Sequence, residues 1–409
     1  FTGVFDGNGH TISNFTYDSN GINRIGLFGY INDPNAEIKS LGLIDPNINA
    51  GSGGPMAGYL YRGNITECYV EGGSISGGPY IGGLVGLCEF YGTIEGCYVT
   101  GDVSGSDEVG GLVGHNEGRV SNCYATGAVS GDDMVGGLVG KHRWQMWNSY
   151  STGNVSGTAT KVGGLVGYCA MPTTDVISSY WNTETSGQLS SAGGTGKTTA
   201  EMKDPNTYIG WWCDLVWTID SGVDYPHLVW EQMAGDIISR PTGFYGGGNG
   251  TESDPYLIYT AEQLNAIGII HCDADKHFKL MSDIDLSSFS GSEFNFIGSN
   301  PLPFVGVFDG NGHTISNFSY VSTGDFGGFF PYVGDNAEIR NLGLLNPNVD
   351  AGSGKSVGSV IGYLHGGGTV NRCYVEGGTV IGNDNVGGLV GCNGWEEGGE
   401  GVGTKTKRY

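Results

Sequence analysis

The sequence predicts an all-β chain wound as a parallel β-solenoid. Three observations carry this reading. Glycine fills 78 of the 409 positions; the pentapeptide Gly-Gly-Leu-Val-Gly returns at intervals of 26–28 residues; and a second, longer repeat of about 300 residues encloses the first. The expected architecture is a stack of 25–31-residue coils in two tandem incomplete modules, with short capping helices.

The glycine share is nearly a fifth of the chain, against a usual value of about 7%. Proline is low at 13, and there is no Gly-x-y period. The glycines therefore serve turns and close backbone approaches, not a triple helix. Hydrophobic residues at 38% and aromatics at 11% supply a core and exclude wholesale disorder. Acidic residues number 42 against 18 basic, a net charge of −24. Such a surface repels phosphate backbones, which excludes nucleic acid as the main partner, and it favours solubility. No apolar run approaches the ~20 residues that span a bilayer, so no membrane insertion is expected. The chain starts at Phe1, not Met, so the lack of a visible signal peptide says little about export.

The short period is marked in three places. Gly-Gly-Leu-Val-Gly occupies 82–86, 110–114, 136–140, 163–167 and 387–391, with degenerate forms at 26–29, 57–60 and 358–362. Cys-Tyr or Ser-Tyr keeps step at Cys68, Cys97, Cys123, Ser149, Ser179 and Cys373. Thr-Gly-x-Val-Ser-Gly begins at Thr100, Thr126 and Thr152. Units of this length suit a solenoid and are too short for propeller blades of about 40–50 residues. Short runs rich in Val, Ile, Thr and Tyr between glycines argue for strands, not helices. Three short strands per unit are expected, as at 119–126, 128–130 and 134–139. Stacked units pair in parallel at about 4.8 Å per rung, and each coil needs its neighbours to cover its apolar face.

Stacking assigns each repeat position a role. Gly82 and Gly83, Gly110 and Gly111, Gly136 and Gly137, Gly163 and Gly164, and Gly387 and Gly388 are expected at positive φ or where one coil closely approaches the next. Leu84, Leu112, Leu138, Leu165 and Leu389 fill one inward slot. Cys68, Cys97, Cys123 and Cys373 form an inward column of reduced thiols, since free Cys is among the most buried residue types and stacked side chains match disulfide geometry poorly. Strict alternation would put Val120 with Tyr124, not with Cys123; a bend near Asn122 lets Val120 and Cys123 both point inward. The tyrosines that follow, Tyr69, Tyr98, Tyr124, Tyr150 and Tyr180, then form an exposed stripe. Such a stripe is either a ligand-binding platform that stacks on sugar rings or a ladder that only stabilises the stack. Cys213 and Cys272 lie outside the repeats.

The long period sets the organisation. Residues 1–15, FTGVFDGNGHTISNF, return as FVGVFDGNGHTISNF at 304–318. The expected parts are a first β-solenoid stack at 1–180, a Trp-rich closing segment and linker at 181–240, a cap with opening strands at 241–303, a second, truncated stack at 304–392, and an irregular tail at 393–409. Both copies read as incomplete, so membership of a longer tandem-repeat polypeptide is expected. Thr260-x-x-Gln263 and Thr198-x-x-Glu201 are capping-box signatures and predict two short helices. Trp211, Trp212 and Trp217 are expected to form a small apolar core, with a carbohydrate platform as the alternative. Asp-Gly-Asn-Gly at 6–9 and 309–312 reads as a tight turn. It has too few oxygen ligands for a calcium loop.

The Gly-Gly-Leu-Val-Gly units resemble the GLUG motif repeats, and FVGVFDGNGHTI at 304–315 is similar to the opening coil of pectin-lyase-like right-handed parallel β-helices. The likeness covers most of the chain outside the Trp-rich segment and the tail. It implies a secreted or surface-displayed bacterial protein, with motifs found in adhesins and beside certain secreted peptidases, and no catalytic residues of its own. An extracellular structural or adhesive module is expected, with glycans or surface proteins as partners and no cofactor or metal.

The competing class is a polysaccharide lyase or glycoside hydrolase. Glycoside hydrolysis needs two positioned carboxylates, and Asp132-Asp133 and Asp283-x-Asp285 are the close acidic pairs near repeats. A lyase needs a basic residue beside an acidic cluster, and Arg119, Lys141, His142 and Arg143 are the densest basic group. Adjacent strand residues face opposite sides, which argues against the first pair. A phosphate-loop mimic at 193–198 has Ser191 where the motif needs Gly. A threonine array three coils deep is too small for ice binding.

Overall fold

The computed structural model describes residues 1–18, 21–170, 176–289, 293–299 and 302–394. The expected tail, apart from Asn393 and Gly394, lies outside them. The chain is all-β, with two α-helices among the described residues, and it divides into two compact units, Phe1–Ser239 and Arg240–Tyr409.

In the first unit the coils stack as parallel strands in four sheets. The longest sheet runs through Val4–Asp6, Phe28–Lys39, Ala57–Thr66 and Val85–Glu95 and then continues as paired shorter strands. Like residues align in register. Ile65, Ile94, Val120 and Met146 form one inward row, each fully buried. Leu84, Leu112, Leu138 and Leu165 form another, joined by N–H donation from each Leu to the next Leu carbonyl at 2.9 Å. A regular coil carries five short strands, not three: Val113–Asn116, Arg119–Ser121, Tyr124–Ala125, Val129–Gly131 and Asp133–Gly136. The reason is the number of corners, which break each coil into runs of two to four residues.

One corner is the bend at Asn122. Its φ is +52°, and Val120 and Cys123 are both fully buried. A left-handed residue between them shifts the alternation by one position, so both side chains face the core. Another corner corrects the glycine reading. Left-handed backbone at that turn is taken by Arg24, Tyr80, Glu108 and Met134, not by the motif glycines. The glycines are needed for space. A Cβ on Gly82, Gly110, Gly136 or Gly163 would lie 2.0 Å from the carbonyl oxygen three residues on, and one on Gly83, Gly111 or Gly137 would lie 2.1–2.2 Å from the backbone of the next coil.

The coil at Tyr180–Asn182 pairs with Thr195–Lys197, so the phosphate-loop mimic is the last rung of a sheet. Helix Thr199–Met202 follows, with Thr198 and Glu201 forming the expected capping box.

The second unit opens with strand Tyr256–Ile258 and helix Ala261–Ile267. Thr260 Oγ1 accepts the Gln263 N–H, and Gln263 Oε1 accepts the Tyr259 N–H. Leu264 and Ile267 of this helix are buried. Strand Tyr256–Ile258 pairs with His277–Leu280, which pairs with Val307–Asp309. The core of this unit is aromatic: Phe294, Phe308, Phe318, Phe329 and Phe330 are all buried. Asp309 Oδ1 accepts the Asn311 N–H within a turn whose Asn311 and Gly312 have positive φ, so the Asp-Gly-Asn-Gly motif is a corner held by its own side chain.

Candidate functional site

The tyrosine column is in register as expected: Tyr69, Tyr98, Tyr124, Tyr150 and Tyr180 pair in succession. Their rings stack, with centroids 5.1, 5.0 and 5.0 Å apart over the first four. They do not form an exposed stripe. Tyr98, Tyr124, Tyr150 and Tyr180 are buried, and Tyr69 is half-buried. The Trp-rich segment lies on them, and its Met202, Tyr208, Trp211, Trp217, Ile219, Leu228 and Ile238 complete one apolar cluster with the tyrosines.

Three tryptophans fasten this cover to the corners of the stack. Trp230 Nε1 donates to the Gly96 carbonyl at 3.2 Å, Trp217 Nε1 to Asn122 Oδ1 at 3.0 Å, and Trp211 Nε1 to the Ser178 carbonyl at 2.7 Å. Tyr124 Oη donates to Glu231 Oε2 at 2.8 Å and Tyr150 Oη to the Pro226 carbonyl at 2.6 Å. Burial pushes the Tyr98, Tyr124 and Tyr150 hydroxyls well above the ordinary phenol range, so they remain donors. His227 Nδ1 lies 3.4 Å from Glu231 Oε2, and the bond to Glu231 raises the imidazole above its ordinary value. Trp211, Trp212 and Trp217 are buried, as an apolar core requires.

Cys68, Cys97 and Cys123 are free and fully buried, and Cys373 is free and half-buried. Each thiol donates to the carbonyl two residues earlier, at 3.3, 3.3, 3.0 and 3.4 Å. Ser149 and Ser179 make the same bond at 2.9 Å. The Cys68 N–H donates to Cys97 Sγ, and the Cys123 N–H to Ser149 Oγ. Volume alone does not explain the Cys/Ser exchange. Both side chains donate within their own turn and accept from the neighbouring coil. Burial pushes the Cys68 and Cys97 thiols up, away from the reactive thiolate.

The candidate acids are occupied as cross-coil acceptors. Asp132 Oδ1 accepts from Thr158 Oγ1, and Asp133 lies 3.4 Å from Lys161 Nζ. Asp283 accepts the Thr314 N–H and lies 3.3 Å from His313, and Asp285 accepts from Asn317 and the Ser287 N–H. Donation by the Thr314 backbone lowers the Asp283 carboxyl, and donation by Asn317 lowers that of Asp285. Low carboxyls fit acceptors and not general acids. Of the basic group, Lys141 lies 3.3 Å from Glu108 and Arg143 3.0 Å from Glu117, with His115 between the two acids. His142 is buried against Asn116.

The surface that is open and rich in chemistry is the outer face of the longest sheet, which the sequence reading did not single out. Tyr30 and Tyr91 are 40% and 66% exposed. The guanidinium of Arg24 lies 4.7 Å from the Tyr59 ring centre, and that of Arg62 lies 5.3 and 5.1 Å from Tyr61 and Tyr91. The signal in the sequence was Tyr-x-Tyr-Arg at 59–62, with Tyr30 one coil earlier.

The GLUG motif matches residues 77–104 and 105–130, two adjacent coils of this stack. The chain carries GLUG repeats. It is 28% identical to halomucin of Haloquadratum walsbyi, over 96% of this chain and 6% of that protein. It is 35% identical to a candidate Gly-rich membrane protein of Evansella cellulosilytica, over 30% of this chain and 15% of that one. The chain thus spans a small part of the length of both relatives. A solved structure of a candidate immunoglobulin A1 protease from Bacteroides ovatus aligns with a TM-score of 0.43 at 23% identity, covering 55% of this chain and 77% of the other.

Proposed function

We propose that these GLUG repeats form a non-enzymatic structural and adhesive module of an extracellular, surface-displayed protein, with a glycan or another surface protein as its partner. The observation that carries this reading is the register itself. Coil after coil repeats the same inward rows, so the sequence is spent on building a wall, and the acidic side chains near the repeats are tied into it. Similarity to halomucin and to a candidate membrane protein supports display at a surface, and the net charge of −24 suits a solvated one.

Antibody labelling of intact cells that make the full-length protein tests the location. Labelling only after permeabilisation would overturn it. Pull-down and glycan-array binding test the adhesive part, which silence in both would remove. Incubation with acidic and neutral polysaccharides tests the non-enzymatic part. New reducing ends or unsaturated products, lost on Asp132→Ala and Asp133→Ala, would replace it with a carbohydrate-active enzyme.

A further inference from the structure

The outer face of the longest sheet holds a run of side chains in continuous contact. Arg24 sits over Tyr59, whose ring is 5.0 Å from Tyr30 and 6.0 Å from Tyr61; Arg62 then lies over Tyr61 and Tyr91. Beside Arg24 is a cavity of about 210 Å³ lined by Asn23, Arg24, Ser52, Pro79, Tyr80 and Leu87 among others. That is below the ~300 Å³ of pockets that enclose a drug-sized ligand, and it suits a single small polar group.

The cations of this run differ from most of those around it, though Arg119, over Trp147, resembles them. Lys39, Lys141, Arg143 and Lys161 each lie within 4.0 Å of a carboxylate. Among the described residues, Arg24 and Arg62 contact rings and no carboxylate. Nε of Arg62 is buried without a hydrogen-bond partner. The Glu89 carboxylate accepts a hydrogen bond from the Tyr59 hydroxyl on this face. Exposed rings, Tyr30 and Tyr91, lie at the two ends of the run, with Tyr59 buried and Tyr61 half-buried between them. Charges elsewhere on the chain are largely screened beyond a Debye length of about 8 Å at physiological salt, so the net negative charge reaches this face through near neighbours such as Glu89.

We propose that Arg24, Tyr30, Arg62 and Tyr91 bind a carboxylated polysaccharide, with the buried Tyr59 ring beneath Arg24 as its support. The sugar rings stack on the exposed tyrosine faces. The planar guanidinium forks meet the two coplanar oxygens of a carboxylate, with one carboxylate entering the cavity beside Arg24. This deepens the adhesive reading and rests on it.

The second unit supplies the contrast. Tyr332 and Tyr363 stack at 4.9 Å in the places of Tyr30 and Tyr59, and Phe326 stands in the place of Arg24, also with left-handed backbone. The rings are kept and the cation is gone. Phe is therefore an accepted side chain at that corner, and Arg24→Phe is a variant expected to fold.

The test measures binding of the full chain to dextran, carboxymethyl-dextran and dextran sulfate, which share one backbone and differ in charge. The expected result is salt-sensitive binding to carboxymethyl-dextran, weak binding to dextran, and a loss of about tenfold or more in Arg24→Phe and in Arg62→Gln, each with an unchanged thermal midpoint. Equal binding to neutral dextran, a preference for the sulfate, or full binding by both variants would overturn the proposal. So would absence of binding to all three, while cell-surface labelling and protein pull-down would leave the adhesive reading standing.

Discussion

Tyr124 and Tyr91 both belong to coils of the first unit, yet 3% of Tyr124 is exposed and 66% of Tyr91. The difference lies in the neighbour. Trp217 and the rest of the Trp-rich cover lie on Tyr124, whereas Tyr91 meets the guanidinium of Arg62. The two units also fill their cores differently: Ile65, Ile94, Val120 and Met146 make an aliphatic row in the first, and Phe294, Phe308, Phe318, Phe329 and Phe330 fill the second. A coil's residues fix which way each side chain points; what lies on top decides whether it is buried.

Substitutions can break this comparison. Trp217→Ala removes a fully buried ring and its bond to Asn122. It should cost about 3–5 kcal/mol in guanidinium unfolding of the first unit; a loss within experimental error would mean the cover is not packed on the tyrosines. Gly111→Ala should cost about 1–3 kcal/mol, because its Cβ meets the Gly137 carbonyl at 2.2 Å. Gly388→Ala, the same motif position with nothing within 4 Å among the described residues, should stay within about 0.5 kcal/mol in this chain. Equal costs would show that the glycines act through backbone freedom and not through space.

Alkylation sharpens the contrast between units. Cys97 and Cys123 should label only as the protein unfolds, and Cys373 sooner, since it is half-buried. Rapid native labelling of Cys97 would show that the column faces solvent. The smallest effect concerns His227. Its folded pKa is raised by Glu231, so its contribution is fully present below the unfolded value of about 6.5 and is lost as pH rises through the higher folded value. The thermal midpoint of the first unit should fall over that window, and His227→Gln should flatten the profile.

Much of this was readable in the chain because its causes are local or periodic. The Leu and Cys rows, the bend at Asn122 and the helix caps at Thr198 and Thr260 each follow from a few residues or from one repeat compared with the next. The cover was not readable, because Trp230 meets Gly96 across 134 positions, and no period links a segment outside the repeats to a row within them. The same distance problem hid Arg24, whose role depends on Tyr59 in the next coil, 35 positions away. The left-handed corners were assigned to glycine because sterics favour it there, whereas the stack holds Arg24, Tyr80 and Glu108 in that conformation.

That corner has a consequence for how such a wall diversifies. Each turn of the spiral sets one side chain at the same edge, and Arg24, Tyr80, Glu108 and Met134 already differ there while the interior rows scarcely change. Exchanging a whole turn would rewrite one letter of that edge and leave the lettering on either side intact, so new surfaces can arise by recombination between repeats without a new core.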